Sequence, residues 1–159
     1  SRAGMKPDVL CDLHELEPFE DDSVDKILSV HVVEHFWRWE VVGILKEWVR
    51  VLKPGGVMVL ECPNIISACR ELLEKEDVAT GPGQEGQRTM WVFYGDPAWE
   101  DPLMIHRWGY SPQSLGQVMH EAGLVSAATP DGGEQLHAAA LDLEQHLRHP
   151  RDHRRIGVS

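Results

Sequence analysis

Two short apolar segments with an amphipathic segment between them constrain the fold more than any other feature of this chain. Lys26–Val30 and Val57–Glu61 are mostly apolar, as expected for strands buried in a parallel sheet. From about Glu40 to Leu52, apolar residues recur at spacings of three and four and form one face of a helix. A strand, a helix and a second strand in this order predict an α/β fold with a largely parallel sheet.

The same alternation continues on both sides of this unit. The remaining predicted elements are strands at Asp8–Cys11, Leu124–Ala128 and Ile156–Val158, and helices at Ile65–Lys75, Ser111–Gly123 and Gln135–Arg148. The third predicted helix is the most sharply bounded, because Ser111 is a good cap, Pro112 suits the first turn and Gly123 suits the end.

Residues 78–102 interrupt this pattern with several glycines and prolines, which break regular structure. The same stretch carries four aromatic residues, so we expect an ordered flap, with a short strand through Met90–Tyr94 as an alternative. The length of 159 residues fits a single domain, 1–159, that includes this flap.

The charge balance excludes several classes of partner. With 15 Lys and Arg against 26 Asp and Glu, the formal net charge is −11, which argues against nucleic acid and anionic lipid as partners. No apolar run is long enough to span a bilayer, and SRAGMKPDVL has no apolar segment of signal-peptide type. Three cysteines without a close pair fit reduced thiols, so we expect a cytoplasmic protein.

Parallel sheets bind ligands beyond the carboxyl ends of their strands. In this sequence that rule selects Asp12–His14, His31–His35 and Cys62–Asn64. Candidate functional residues are therefore sought first in these three segments.

An ordered series of motifs covers Pro7 to Asn64. The series is DL at residue 12, LEPF at 16, DSVD at 22, SVHVVEH at 29, RVLKPGG at 50 and PN at 63. It resembles the class I S-adenosylmethionine-dependent methyltransferases, most closely the branch called type 11, and the resemblance returns more loosely from His106 to Leu124. The resemblance implies a Rossmann-like seven-stranded methyltransferase sheet, S-adenosylmethionine as cofactor and methyl transfer to a small-molecule acceptor.

The resemblance also implies roles for particular residues. Asp12 would accept a hydrogen bond from the adenine amino group, and the backbone N–H of Leu13 would meet the adenine ring. Val30, His31 and Val32 would lie along the methionine part of the cofactor. His35 and His31 are the candidates for a general base near the transferred methyl group. His106, Trp108 and Tyr110 are the candidates for lining the acceptor pocket. No metal ligand is assigned.

The sequence departs from the family pattern at its start. The Gly-rich turn after the family's first strand and the acidic residue after its second have no counterpart in the eleven residues before Asp12. We therefore expect an incomplete sheet with its first strands missing, weak or absent cofactor binding by this chain and uncertain activity. Lys26–Val30 would then be an exposed apolar edge, which favours self-association as a dimer.

Two alternatives to a methyltransferase remain open. The chain could be a non-catalytic remnant that binds a partner. His31-Val32-Val33-Glu34-His35 also matches the H-x-x-E-H pattern of zinc hydrolases, in which both histidines would lie on one face of a helix and Glu34 would act as base.

Overall fold

A four-stranded sheet forms the centre of the protein. The computed structural model describes residues 7–75, 88–125, 127–128 and 135–141. The strands are β1 (Val24–Val30), β2 (Leu52–Pro63), β3 (Ala127–Ala128) and β4 (Gln135–Leu141), and their order across the sheet is β1-β2-β4-β3.

The predicted pair of parallel strands is confirmed. β1 and β2 run parallel, with Ile27 opposite Met58 and Leu28 opposite Val59. β4 pairs antiparallel with the other side of β2, and β3 pairs antiparallel with β4. This arrangement is an incomplete Rossmann-like α/β sheet, in which β1 ends the described sheet on one side.

Helices and short 3-10 turns connect and cover the strands. The helices are α1 (Val41–Val51), α2 (Ile65–Glu74), α3 (Arg88–Tyr94) and α4 (Pro112–Glu121), and the 3-10 turns are Val33–His35, Pro97–Trp99 and Pro102–Met104. The predicted helix ends are confirmed at α4, where Ser111 and Ser114 form a reciprocal capping box and Gly123 takes a φ of +97°.

One hydrophobic core joins α1, α4 and one face of β2. Alternate residues of β2, from Met58 to Cys62, are fully buried because successive side chains of a strand point to opposite faces. Leu45 and Trp48 of α1 and Leu115 of α4 are buried in the same cluster. The helical spacing of apolar residues seen in the sequence is therefore the spacing of the core contacts.

Three predicted elements are wrong. Asp8–Cys11 forms no strand, because it makes no ladder with β1, and Leu10 is 87% exposed. Met90–Tyr94 lies in the helix α3, so the alternative strand does not form. Gln135–Leu141 is the strand β4 and not a helix, because β2 offers seven consecutive ladder partners that outweigh local helix propensity.

The other predicted elements agree with the structure where it describes them. β3 is the described strand within Leu124–Ala128, while Ile156–Val158, the end of Gln135–Arg148 and residues 78–87 of the flap lie outside the described residues. Within the described ranges, no helix has both the length and the apolar composition needed to cross a membrane.

Candidate functional site

The segment Asp12–His14, called the rim here, is held in place by α1. The indole N–H of Trp48 donates a 2.8 Å hydrogen bond to the carbonyl oxygen of Leu13. Three residues after Leu13, the backbone N–H of Leu16 donates to Glu47 Oε1 at 2.9 Å. The rim is therefore positioned by helix side chains, although the strand predicted before it does not form.

Arg50, on α1, holds the acidic loop Leu16–Asp22, which follows the rim, against this helix. Its guanidinium donates to both carboxylate oxygens of Glu47 at 2.8 and 2.6 Å, and to Asp21 Oδ1 at 2.6 Å. It also donates to the carbonyl oxygens of Phe19 and Leu16 at 3.1 and 3.3 Å. The hydrogen bonds from Arg50 lower the pKa of Glu47, and those from Glu47 and Asp21 raise the pKa of Arg50. The network therefore stays charged at neutral pH.

Asp12 presents an ionised carboxylate at the rim. Its side chain is 70% exposed, and its Oδ1 accepts from the backbone N–H of His14 at 2.9 Å and from the His14 ring at 2.8 Å. These hydrogen bonds lower the pKa of Asp12. An exposed carboxylate of this kind can accept a further hydrogen bond from an amino group.

A cleft of about 360 Å³ runs along β1 next to the rim. Its walls are mostly apolar and come from the acidic loop, β1 and α1, including Phe19, Ile27 and Trp48. Leu13 and Val32, which were predicted separately as cofactor contacts, both line it. The structure therefore brings these two residues to one cleft, and Asp12 stands between the lining residues Cys11 and Leu13.

The chain turns sharply at His31, directly after β1. The backbone N–H of His31 donates to the carbonyl oxygen of Glu61 at 2.9 Å, and its φ is +53°, in the left-handed region. A 3-10 turn, Val33–His35, follows. Because His31 lies outside this turn and is not α-helical, the helical face that the zinc-hydrolase pattern requires is not formed.

Glu34 is the middle residue of this turn, and its buried side chain contacts His31. Glu34 is 2% exposed, and its Oε1 lies 3.1 Å from His31 Nδ1. This hydrogen bond raises the pKa of His31. The other carboxylate oxygen, Oε2, is buried and has no hydrogen-bond partner within the part of the chain that the structure describes.

The structure brings His35 and His106 together. Their rings meet edge to face with centroids 5.0 Å apart. The contact is made possible by the backbone, because the N–H groups of Arg107 and Trp108 donate to the carbonyl oxygen of Glu34 at 2.7 and 3.2 Å. Burial lowers the pKa of His35, so its ring is neutral at pH 7.

Gly95 allows the segment before His106 to approach α3. Its φ is +86°, and a Cβ at this position would collide with the carbonyl oxygen of Met104 and lie 3.5 Å from the His106 ring. Glycine is the residue that meets both demands, the left-handed backbone and the close approach.

The predicted acceptor residues occupy different environments. Trp108 is partly exposed, whereas Tyr110 is fully buried in the core, and no described residue forms a hydrogen bond with its hydroxyl. Burial raises the pKa of Tyr110. Tyr110 therefore forms part of the wall behind the site and does not reach its surface.

Sequence reasoning missed the structural roles of Arg50 and Glu34. Arg50 gave no signal, since its partners in the acidic loop lie about 30 residues earlier in the chain. Glu34 had a signal, because a carboxylate three residues after His31 and next to His35 was recognised, but only as part of the zinc-hydrolase pattern.

Comparisons with known proteins agree with the sequence resemblance. Residues 2–60 match the family model described as "Methyltransferase domain". Over 121 residues the chain is 27% identical to a protein of Mycolicibacterium smegmatis named "Probable S-adenosylmethionine-dependent methyltransferase". That alignment takes in 76% of this chain, and the chain spans 42% of the length of this curated relative.

Solved structures share the fold. One is an S-adenosylmethionine-dependent methyltransferase from Archaeoglobus fulgidus, with a TM-score of 0.53 and 15% identity over 84% of this chain and 66% of that one. Another is the PH0226 protein of Pyrococcus horikoshii, with a TM-score of 0.55 and 20% identity over 84% of this chain and 58% of that one. These structures confirm the fold, and the family-model match and the curated relative confirm the resemblance to class I S-adenosylmethionine-dependent methyltransferases.

Proposed function

We propose, with this confirmed likeness as the premise, that the chain contributes to transfer of a methyl group from S-adenosylmethionine to a small-molecule acceptor. The observation that carries the proposal is the cleft along β1, which Leu13 and Val32 both line and whose neighbouring rim carries the ionised carboxylate of Asp12. Apolar walls with one well-placed polar group are typical of sites for flat, mostly apolar ligand parts.

The described residues fit the adenine side of S-adenosylmethionine. The apolar cleft suits the ring, and Asp12 can accept from its amino group. Val30 ends β1, and His31 and Val32 follow it at the carboxyl end of the strand, where the three residues would border the methionine part. The described residues show no Gly-rich turn at the carboxyl end of a strand, so we propose that this chain alone binds the cofactor weakly.

When bound, S-adenosylmethionine supplies an activated methyl group. The chain's own residues hold the acceptor and receive its proton. His31 is the proton acceptor in this proposal, because Glu34 fixes its ring through Nδ1 at 3.1 Å, while Nε2 lies 3.9 Å from Glu61 Oε1, beyond hydrogen-bond distance of that carboxylate. His106 and Trp108 border the acceptor, with Tyr110 behind them. His35 is the other candidate for the general base, and its ring packs edge to face against that of His106.

Self-association through β1 is part of the proposal. Leu28 is 64% exposed and Val30 is 43% exposed, on a strand that ends the described sheet. An apolar strand edge of this kind favours pairing with a second copy. Sedimentation velocity should show a dimer that Leu28→Lys disrupts, and a monomer at high concentration would contradict it. The same edge would serve the alternative function, a non-catalytic module that binds another protein.

A cytoplasmic location completes the proposal. Cys11, Cys62 and Cys69 are all free thiols, which suits a reducing compartment.

Titration calorimetry with S-adenosylhomocysteine tests the proposed function. We expect binding by the full chain with a Kd above about 100 μM, and about tenfold weaker binding by Asp12→Asn, since a hydrogen bond to a charged group is lost. Asp8→Asn is the matched control, because Asp8 is an exposed carboxylate four residues away. Equal affinity of both variants would contradict the role of Asp12, and micromolar binding by the unaltered monomer would contradict the weak site.

A further inference from the structure

We propose that Glu34, His35 and His106 form a binding site for a divalent transition-metal ion of the zinc class. One ligand atom from each of the three side chains lies within 4.8 Å of the other two. The H-x-x-E-H pattern would use His31 and His35 as ligands and Glu34 as base, whereas the structure groups His35 with His106 and Glu34. Two imidazoles and one carboxylate are a donor set suited to zinc and other first-row metal ions.

The hydrogen bonds of the two histidines prepare both rings for a metal. The Nδ1 atom of His35 lies 3.2 Å from the carbonyl oxygen of Ile105, and that of His106 lies 3.0 Å from the carbonyl oxygen of Val92. A carbonyl oxygen only accepts a hydrogen bond. In its neutral form, each ring therefore carries its proton on Nδ1 and keeps a lone pair on Nε2. Metal-binding histidines usually have their second nitrogen bonded in this way.

The buried carboxylate of Glu34 independently indicates a cation site. Its carboxylate is buried, and its Oε1 is hydrogen-bonded to His31, while Oε2 has no hydrogen-bond partner among the described residues. A buried carboxylate oxygen without a partner costs free energy, which a bound cation would offset. The unpaired oxygen belongs to the same side chain that meets the two histidines.

The separations require only a small movement. Two atoms that each bond one ion at about 2.1 Å lie at most about 4.2 Å apart, so side chains within 4.8 Å of each other must close slightly. The backbone around them is already fixed, because the N–H groups of Arg107 and Trp108 hold the segment after His106 against Glu34.

Three protein ligands leave coordination positions open to water or to an oxygen of the acceptor. With an ion in place, His35 would affect the methyl acceptor only as a ligand of that ion. His31 would still be the base that receives the proton of the methyl acceptor. This last step rests on the proposed function, whereas binding of the ion itself does not.

Titration of the full chain with cobalt(II) chloride alone tests the site, because bound cobalt reports its coordination through visible absorption. We expect one ion per chain with absorption typical of nitrogen and oxygen ligands, and displacement by zinc. His106→Gln should weaken binding at least about tenfold. His120→Gln is the matched control, since His120 is an exposed histidine on α4.

Glu34→Gln keeps the size of the buried side chain and removes its charge, and His35→Gln provides a second variant if the former does not fold. Circular dichroism checks the fold of each. Absence of saturable cobalt binding, or binding that His106→Gln and His35→Gln leave unchanged, would overturn the site. Failure to bind S-adenosylhomocysteine would affect the proposed function alone.

Discussion

Replacing Arg50 by methionine should detach the acidic loop from α1. The change removes two hydrogen bonds to the carbonyl oxygens of Leu16 and Phe19, worth about 0.5–1 kcal/mol each. It also removes the two-point contact with Glu47, worth about 1 kcal/mol, and a half-exposed contact with Asp21, worth at most about 0.5 kcal/mol. The expected loss in the free energy of unfolding is therefore about 2–3 kcal/mol.

Urea unfolding measures this loss. With an m value of about 2 kcal/mol per molar, the midpoint should fall by about 1 M. Lys53→Met is the matched control, because it removes a cation with a single exposed partner, Asp25 at 2.7 Å. Its effect should stay within about 0.5 kcal/mol. Equal losses in the two variants would refute the claim that Arg50 holds the loop.

The pH dependence of the same pair gives a further check. Arg50 lowers the pKa of Glu47 below its ordinary value of 4.5. A lowered folded-state pKa gives stability that is fully present above the ordinary value and is lost as pH falls through the lowered one. The difference between the unaltered chain and Arg50→Met should therefore persist from pH 7 to about 5 and shrink below about 4. A difference that grows in acid would contradict this.

Five further substitutions test the fold by thermal or urea unfolding. Leu60→Ala should cost about 2–5 kcal/mol because Leu60 is fully buried, whereas Leu28→Ala on exposed β1 should change stability by less than about 0.5 kcal/mol; similar losses would contradict the assigned core. Gly95→Ala should cost more than about 1 kcal/mol through strain and overlap, whereas Gly43→Ala, with open space inside α1, should stabilise by about 0.5–1 kcal/mol; the opposite order would contradict the placement of Gly95. Ser111→Ala should cost about 1 kcal/mol through loss of the α4 cap, and no change would show that the capping box does not stabilise the helix.

Local patterns in the sequence were sufficient to predict the elements that build the core. The stripe on α1 and the cap of α4 depend on residues three or four positions apart, so the sequence displays them directly. The parallel pairing of β1 and β2 follows from their apolar character and the helix between them. These features needed no knowledge of distant parts of the chain.

Features that depend on distant partners could not be predicted in the same way. Gln135–Leu141 has the composition of a helix and becomes a strand because β2, more than 70 residues earlier, provides its ladder. Asp8–Cys11 has the composition of a strand and lacks a partner among the described residues. Strand formation is decided by such pairing, which local composition does not contain.

In the candidate site, too, local motifs predicted some features, while others depend on distant parts of the chain. Asp12, Leu13 and Val32 were predicted from motifs, and Leu13 and Val32 do share a cleft. The contact of His35 with His106 was not predicted, because it depends on a segment 70 residues further along, whose Ile105 carbonyl oxygen accepts from the His35 ring. The unpaired oxygen of buried Glu34 likewise becomes visible only in the folded chain.

Chemical-shift mapping of the nitrogen-15-labelled chain with S-adenosylhomocysteine tests the central claim most directly. The claim is that the rim and the end of β1 face the cofactor. It predicts saturable shift changes at Asp12, Leu13 and residues 30–32, with α4 unchanged. Changes confined to α4, or no saturable change at the rim, would contradict it.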